Sequence, residues 1–579
     1  MNRQFFWRSM TVGILLAVIG LSIVIQIINI QTGEEADSIR NMASAYAYRR
    51  LTLFPPRGEI YDRKGRQLAG NRLVYEVGVD IPFVREPASI ALAVSVYLGL
   101  DYNQIYTSLT QPEADVVYLL IQRQVPLEKA APLLQLLEAY RTQSNPKYNL
   151  SGLRLTPSLQ RSYPEKELGF NVIGFVSGDG RGYFGVEEKY NDLLAGQTLE
   201  AVIPEDPRRI DEIPQPPKGA SLILTLDRDL QSAIEKILFE ALRETGAENG
   251  TIVLMDPRNG EILALASTPT LDLNRFWEYD NLFHKGGEFN RAIGMPYEPG
   301  SVFKILTMAA GLDTGKIRPE TVYLDTGAIQ VSGMVIRNWD KQAWGPQDMI
   351  GCLQHSLNTC LTWVALEIGP QAFYQYMQNF GIGHLTGVDI AGEAPGRLKL
   401  PGDRDWYPVE LATNSFGQGV SVTPIQMLAA VSAVANDGKM VVPHVLYATI
   451  KNGHQYETVH TYSGSPISVQ TARTLSQMLA ISLEQEASPA LVPGYRVAGK
   501  TGTAQIPPYE MTLGQTNASF IGWGPLDQPR VMAYIWLEKP TSSIWGSETA
   551  APVFSKAMQT AFLLLDIPPD AVRYQVAGQ

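Results

Sequence analysis

From Met10 to Ile30 the chain is almost wholly apolar and uncharged; at ~20 residues such a run suits one helical bilayer crossing. Arg3 and Arg8 precede it and Glu34, Glu35 and Asp37 follow. The positive-inside rule then keeps the N-terminus in the cytoplasm and puts everything after Ile30 outside. A cleaved signal peptide is the rival reading. Its apolar core would be shorter, and the A-x-A-like site Ala43-Ser44-Ala45 lies too far beyond the run. The expectation is a cytoplasmic segment 1–9, a retained transmembrane helix over 10–31 and a polar, partly helical stalk over 32–50.

Beyond the stalk the pattern changes several times. Asp62-Arg63-Lys64-Gly65 reads as a turn between two short strands. From about 86 to 143 the apolar spacing is helical, as in Ala91, Val94 and Leu98, and later Ala131, Leu134 and Leu137. Turns and short elements return through Arg161-Ser162-Tyr163-Pro164 and Gly182 to Tyr190. Pro214-Gln215-Pro216-Pro217 is a stiff linker, which divides a domain over 51–213 from one over 221–579, joined by 214–220. After it, Ser221 to Leu226 alternates as a strand, and Leu230, Ile234, Ile237, Leu238, Ala241 and Leu242 form one helical stripe. Thr251–Met255 and Glu261–Ala266 flank a hairpin turn at Asp256-Pro257-Arg258-Asn259-Gly260. Val497–Gln505, Ser519–Trp523 and Val531–Leu537 read as successive strands, closed by a last helix from about Ala551 to Leu565. Strands at both ends with helices between predict an antiparallel sheet packed on helices, within a multidomain α+β protein.

At 579 residues the chain is too long for one core. A net charge of -11 argues against a nucleic-acid binder. The six histidines have no metal-ligand spacing, and His355 reads as a histidine near a helix end rather than a base for Ser356. The two cysteines, Cys352 and Cys360, would stand ~12 Å apart on one continuous helix, too far for a disulfide. Buried thiols are the default, and a bridge stays open if a loop intervenes.

The chemistry gathers at Tyr297-Glu298-Pro299-Gly300-Ser301-Val302-Phe303-Lys304, ahead of a helix apolar on nearly every face. Residues three apart share a helix face, so Lys304 lies beside the Ser301 hydroxyl. The first-turn N–H of Ser301 is free to serve as an oxyanion donor. Burial lowers a lysine's pKa and makes a neutral general base plausible. A chain this long should hold about two Ser-x-x-Lys matches by chance; Ser144-Asn145-Pro146-Lys147 is one, and its proline makes it a loop coincidence. The Ser301 match has partners: Ser356-Leu357-Asn358 and then Lys500-Thr501-Gly502-Thr503, in the order found in β-lactamases and penicillin-binding proteins. Smaller candidates are Trp339 and Asp340 as cleft lining, Glu298 as a brace for the Ser301 turn and Gln418 as the site's floor, each set against ordinary packing or turn chemistry.

With those residues in place the sequence resembles the class B penicillin-binding proteins, membrane-anchored D,D-transpeptidases of bacterial cell walls. The resemblance covers nearly the whole chain and takes in Arg57-Gly58, Asp62-Arg63, Arg161, Tyr163-Pro164, Gly185 and Glu187, which look like the family's pedestal (dimerisation-type) domain. Asn290-Arg291-Ala292, Gly417-Gln418-Gly419 and Ala550-Ala551-Pro552 also fit, and the division (septal) branch matches better than the elongation branch. The resemblance implies an acyl-enzyme on Ser301, activation by Lys304, proton relay through Ser356 and orientation of Lys304 by Asn358. It implies that Lys500 keeps Lys304 neutral, that Thr501 and Thr503 hold the substrate carboxylate, and that the Thr503 N–H completes the oxyanion hole. Gly502 would let the substrate backbone lie alongside the strand.

Stem peptides with a D-Ala-D-Ala donor and an amine acceptor are the implied substrates, released D-alanine the product, and β-lactams the covalent inhibitors; carboxypeptidase side activity is a further implication. No cofactor or metal is implied, and the implied partners are a multi-spanning membrane glycosyltransferase and divisome proteins. A β-lactamase would need a deacylating carboxylate that the sequence does not point to. A bifunctional wall polymerase would need more residues before 220 and an acidic glycosyltransferase motif. A catalytically degenerate scaffold or β-lactam-binding sensor is the alternative of another class; the scaffold would have lost some of the motif residues, which are all here, and the sensor would need a cytoplasmic effector.

Overall fold

The computed structural model describes residues 3–32, 48–113, 115–142, 147–204, 214–283, 288–486, 488–506 and 515–577. Most of the expected stalk and the Ser144-Asn145-Pro146 part of the chance match lie outside them. The contacts divide the chain into two compact units.

One unit comprises 1–56 and 196–219. It contains the helix Arg3–Thr32, whose apolar span Phe6–Thr32 is long enough to cross a membrane, about 40 Å at the helical rise. The helix begins upstream of Met10 and so carries Arg8 on its own first turns. In the same unit Tyr48–Leu53 pairs antiparallel with Leu199–Pro204.

The other unit comprises 57–195 and 220–579. The expected division along the chain at 214–220 is therefore crossed by contacts. Ile60–Tyr61 runs parallel to Ser221–Leu224, which pairs on its other side with Leu446–Lys451. One seven-stranded sheet results, extended by Gln67–Asp80, Tyr118–Pro126 and Leu153–Ser162. Two of these strands depart from expectation. Tyr118–Pro126 interrupts the stretch read as helical, and Leu153–Ser162 fills ground that carries no sequence assignment before running into Arg161-Ser162, read as a turn. Neither alternates cleanly between buried and exposed positions, so the period-2 signal that marks a strand is missing from both. A further helix, Asp570–Ala577, follows the one expected to be last.

Three of the motif residues of the 51–213 segment, Arg57, Arg161 and Tyr163, converge on one buried carboxylate. Glu187, wholly buried, accepts from Arg57 Nε at 2.8 Å, from Arg161 Nε at 2.7 Å and from the Tyr163 hydroxyl at 3.2 Å. Other guanidinium donors reach backbone and amide oxygens, with Arg161 Nη1 on Gly58 O at 2.7 Å and Arg57 Nη1 on Asn191 Oδ1 at 3.1 Å, while Arg161 Nη2 is buried without a hydrogen-bond partner among the described residues. Removing the carboxylate leaves two buried cations uncompensated. Glu187→Ala is expected to destabilise the fold by about 3–5 kcal/mol, read as a lower urea midpoint by tryptophan fluorescence in detergent; an unchanged midpoint would refute the cluster's structural role.

The five-stranded sheet runs in the order Ile262–Ser267, Asn249–Met255, Val531–Glu538, Thr516–Gly524, Ala498–Gln505, antiparallel throughout, as the sequence predicts. Both faces are covered, which explains why Val531–Glu538 reads as a continuous apolar run. Met532, Tyr534 and Trp536 pack into the core with Val302, Phe303 and Ile305, while Val531, Ala533, Ile535 and Leu537 face Leu230, Ile234, Phe554 and Phe562. At the end of that strand Glu538 receives a bidentate pair from Arg291 at 2.9 and 3.0 Å. The sheet thus separates the helices Arg228–Thr245 and Ala550–Leu564 from a buried helical layer that begins at Ser301, and the Lys500 strand forms its edge.

Candidate active site

Gly300 has φ 59, and its N–H donates to Gly417 O at 3.0 Å. A Cβ there would stand 3.0 Å from Thr503 O, so the turn presses against the Lys500 strand where only glycine fits. Gly300–Phe303 is a 3-10 turn rather than the expected α-helical one, and the α-helix proper is Lys304–Asp313. Three residues per turn eclipse positions i and i+3, which aligns Ser301 with Lys304 more closely than an α-turn would. Ser301 is half-buried and reaches the cleft, whereas Lys304 is wholly buried.

Lys304 Nζ lies 2.6 Å from Ser356 O, 2.8 Å from Asn358 Oδ1 and 3.1 Å from Ser356 Oγ. The first two oxygens can only accept, so a neutral amine spends its two N–H groups on them and turns its lone pair toward hydroxyls. Ser356 Oγ can donate its O–H to that lone pair or accept an N–H from the amine. Burial drives the Lys304 amine well below its ordinary 10.5, and the charge of Lys500 adds to the effect. Burial brings Lys500 down to about 8, against the opposing pull of Glu486. Both amines are thereby pushed toward the neutral form, Lys304 by burial and by the charge of Lys500 beside it.

Ser356 and Asn358 come from a break between two helices, Met349–Gln354 and Asn358–Ile368. His355 caps the first, Ser356 takes φ 52 and Leu357 is extended at the start of the second. This interruption corrects the default of two buried thiols. Cys352 and Cys360 form a disulfide with their Cα atoms 6.1 Å apart, because the chain folds back between them instead of continuing as one helix. The His355 ring stacks on Trp344 at 3.8 Å and burial lowers its pKa, in keeping with a packed histidine at a helix end.

On the edge strand, Thr501 and Thr503 face the cleft while Lys500 and Gly502 face inward. Lys500 Nζ donates to Thr501 Oγ1 at 3.1 Å, and Thr503 Oγ1 accepts from Gly546 N at 3.0 Å. Gly502 has an internal reason to be glycine. A Cβ there would lie 2.3 Å from Ser519 Oγ, 3.0 Å from Val302 Cγ1 and 3.1 Å from Pro299 O, so the close approach is to the Ser301 turn behind the strand.

These elements bound a cleft of about 380 Å³ containing Ser301, Ser356, Thr501 and Thr503, continuous through Ser301 with a space of about 200 Å³ lined by Asn358 and Gln418. Trp339 lines both, with Trp545 edge-on to it at 4.9 Å. Glu298 braces the turn through Gly419 N–H, at 3.0 Å from its Oε1. The arrangement places two serine hydroxyls, a buried amine of lowered pKa and an edge strand around one cleft, the parts that covalent acyl transfer to an extended ligand would need.

Residues 250–559 match the penicillin binding protein transpeptidase domain, and residues 52–209 match the penicillin-binding protein dimerisation domain. Stage V sporulation protein D of Bacillus subtilis is 31% identical over 547 residues, covering 92% of this chain and 82% of that protein. The chain belongs to the class B penicillin-binding proteins. Among its relatives in that family, peptidoglycan D,D-transpeptidase FtsI of Escherichia coli is 29% identical over 534 residues, covering 89% of this chain and 85% of the relative. The crystal structure of penicillin-binding protein 3 from Mycobacterium tuberculosis, complexed with aztreonam, superposes with a TM-score of 0.67 at 25% identity, covering 90% of this chain and 98% of that one.

In this class B penicillin-binding protein the structure brings Ser301, Lys304, Ser356, Asn358, Lys500, Thr501, Gly502 and Thr503 to one place. It also brings residues that the sequence reading passed over: Trp344, Glu486 and Trp545. Trp545 follows the Val531–Glu538 strand on a loop whose Gly546 lies against Gly502; the lone clue in its sequence is the glycine beside it.

Proposed function

We propose that the chain is a serine-type peptidoglycan D,D-transpeptidase acting in septal wall synthesis. Ser301 Oγ attacks the penultimate D-alanine carbonyl of a donor stem peptide as Lys304 takes its proton. The C–N bond to terminal D-alanine breaks, with the proton passing to the leaving amine through Ser356. An acceptor amine then attacks the ester, forms the cross-link and frees Ser301; water in its place would give carboxypeptidase activity. Thr501 and Thr503 hold the donor carboxylate, Lys500 supplies positive potential, and the Ser301 and Thr503 N–H groups receive the oxyanion.

One observation carries this reading: a wholly buried lysine, lowered far from its usual pKa, whose hydrogen-bond partners among the described residues are Ser356 and Asn358. The relatives' names, transpeptidase among them, support it. The test is intact-mass analysis of the full-length protein in detergent after benzylpenicillin, with peptide mapping. A stable single adduct on the Ser301 peptide is expected. No adduct on folded protein would favour the scaffold, and an adduct lost within minutes a hydrolase.

The apolar helix Arg3–Thr32 supports a membrane anchor; in the same proposal its N-terminus is cytoplasmic, the catalytic residues lie outside, and a membrane glycosyltransferase and other divisome proteins are its partners. Replacing residues 10–31 by an unrelated transmembrane helix should impair wall synthesis in cells; full function would count against such pairing.

A further inference from the structure

We propose that the Cys352–Cys360 disulfide is a positioning element for the general base, fixing the loop that carries every hydrogen-bond acceptor described for Lys304. This rests on the transpeptidase reading and adds to it the two cysteines as positioning residues.

The bond ties the helix Met349–Gln354 to the first turn of the helix Asn358–Ile368. Ser356 and Asn358 lie inside the ring it closes, and with them Ser356 O, Ser356 Oγ and Asn358 Oδ1. The ends of this loop are unequally held. Asn358 Nδ2 donates to Arg337 O at 3.0 Å and Thr359 Oγ1 to Asp325 Oδ1 at 2.7 Å, so the second helix is moored to the 325–338 segment. At Ser356 itself the described bonds apart from those to Lys304 are local, its N–H donating to Leu353 O at 3.2 Å with Leu357 N on Cys352 O at 3.0 Å beside it, and the outside ties on this side belong to His355, whose carbonyl accepts from Trp339 Nε1 at 3.1 Å and whose ring stacks on Trp344.

Ser356 must also keep φ 52, a conformation disfavoured for serine that persists only where the surroundings over-determine it. A covalent tie from Cys352 to the moored helix transmits that anchorage to the Ser356 side of the turn. Without it, two helix ends can separate, Ser356 can relax to negative φ, and water can enter beside Lys304. The plainer reading is that two buried sulfurs merely fill the core, since both cysteines are fully buried. The two readings differ in what happens to Lys304.

The experiment compares the second-order rate constant of benzylpenicillin acylation against pH for full-length parent and Cys352→Ala/Cys360→Ala in detergent. Burial is the largest cause of the depressed Lys304 pKa, so admitting water should raise it. The rising limb should move up by about one pH unit, with a loss of about tenfold or more at neutral pH. An unchanged rising limb overturns the proposal, whatever happens to the melting temperature. If circular dichroism shows the double variant unfolded, the same series on parent reduced with dithiothreitol, both thiols being counted by iodoacetamide mass, decides on the same terms. Parent cysteines that take up iodoacetamide before reduction also overturn it. A parent that forms no adduct at any pH sinks the transpeptidase reading first, and this inference with it.

Discussion

Replacing Ser301 by alanine is expected to abolish the benzylpenicillin adduct and to cut D-alanine release from a donor pentapeptide by on the order of 10⁴-fold or more. In the proposed mechanism the hydroxyl is the group from which the covalent bond is made, and no neighbour is placed to substitute for it. Lys304 is buried behind the turn, and Ser356 is engaged with Lys304. Ser301 is half-buried on a turn set by Gly300, so truncation should cost less than about 1 kcal/mol of stability. Folding and chemistry should therefore separate cleanly: an intact melting curve with no adduct by intact mass. An adduct of undiminished yield on the variant would move the nucleophile elsewhere and sink the site assignment.

Lys304→Ala should lower the acylation rate by about 10²–10⁴-fold, the usual contribution of a positioned general base. The parent's pH profile carries the complementary signature. In the roles proposed for the two lysines, Lys304 acts only when neutral, so the rate should rise with pH through a midpoint well below 10.5. Lys500 acts only when charged, so the rate falls as pH passes about 8. The result is a bell whose limbs belong to the coupled pair. Lys500→Arg keeps the charge at higher pH and should carry the falling limb upward while sparing the rising one. A falling limb that stays near 8 in that variant would show that another group sets it.

Much of this site was legible because its parts are local. The break at Pro299-Gly300, the i, i+3 spacing of Ser301 and Lys304, and the continuous apolar strand Val531–Glu538 are each written within a few residues. What the sequence hid depends on partners far along the chain. Tyr118–Pro126 is a strand because Gln67–Asp80 offers it a ladder, not because its own residues alternate. The disulfide was undecidable from an eight-residue spacing, since everything turns on whether Ser356 interrupts the helix, and a serine at positive φ leaves no mark in composition. At Gly502 the sequence points to a substrate backbone alongside, and the structure adds a reason that no local pattern carries. Its crowding comes from Ser519, Val302 and Pro299, which reach it only once the sheet and the Ser301 turn are packed together.

The sheet that joins Ile60 to Leu222, and Leu222 to Thr449, has a consequence for how the protein is made. In the five-stranded sheet Thr251 likewise waits for Trp536. At ordinary synthesis rates those intervals are on the order of tens of seconds, during which early strands expose unpaired edges and apolar side chains. Such non-local pairing makes folding slow and prone to aggregation. A polypeptide stalled before residue 498 cannot hold Lys500 or complete the layer behind Ser301, so unfinished chains should be inert toward β-lactams. Competence to react arrives late and all at once.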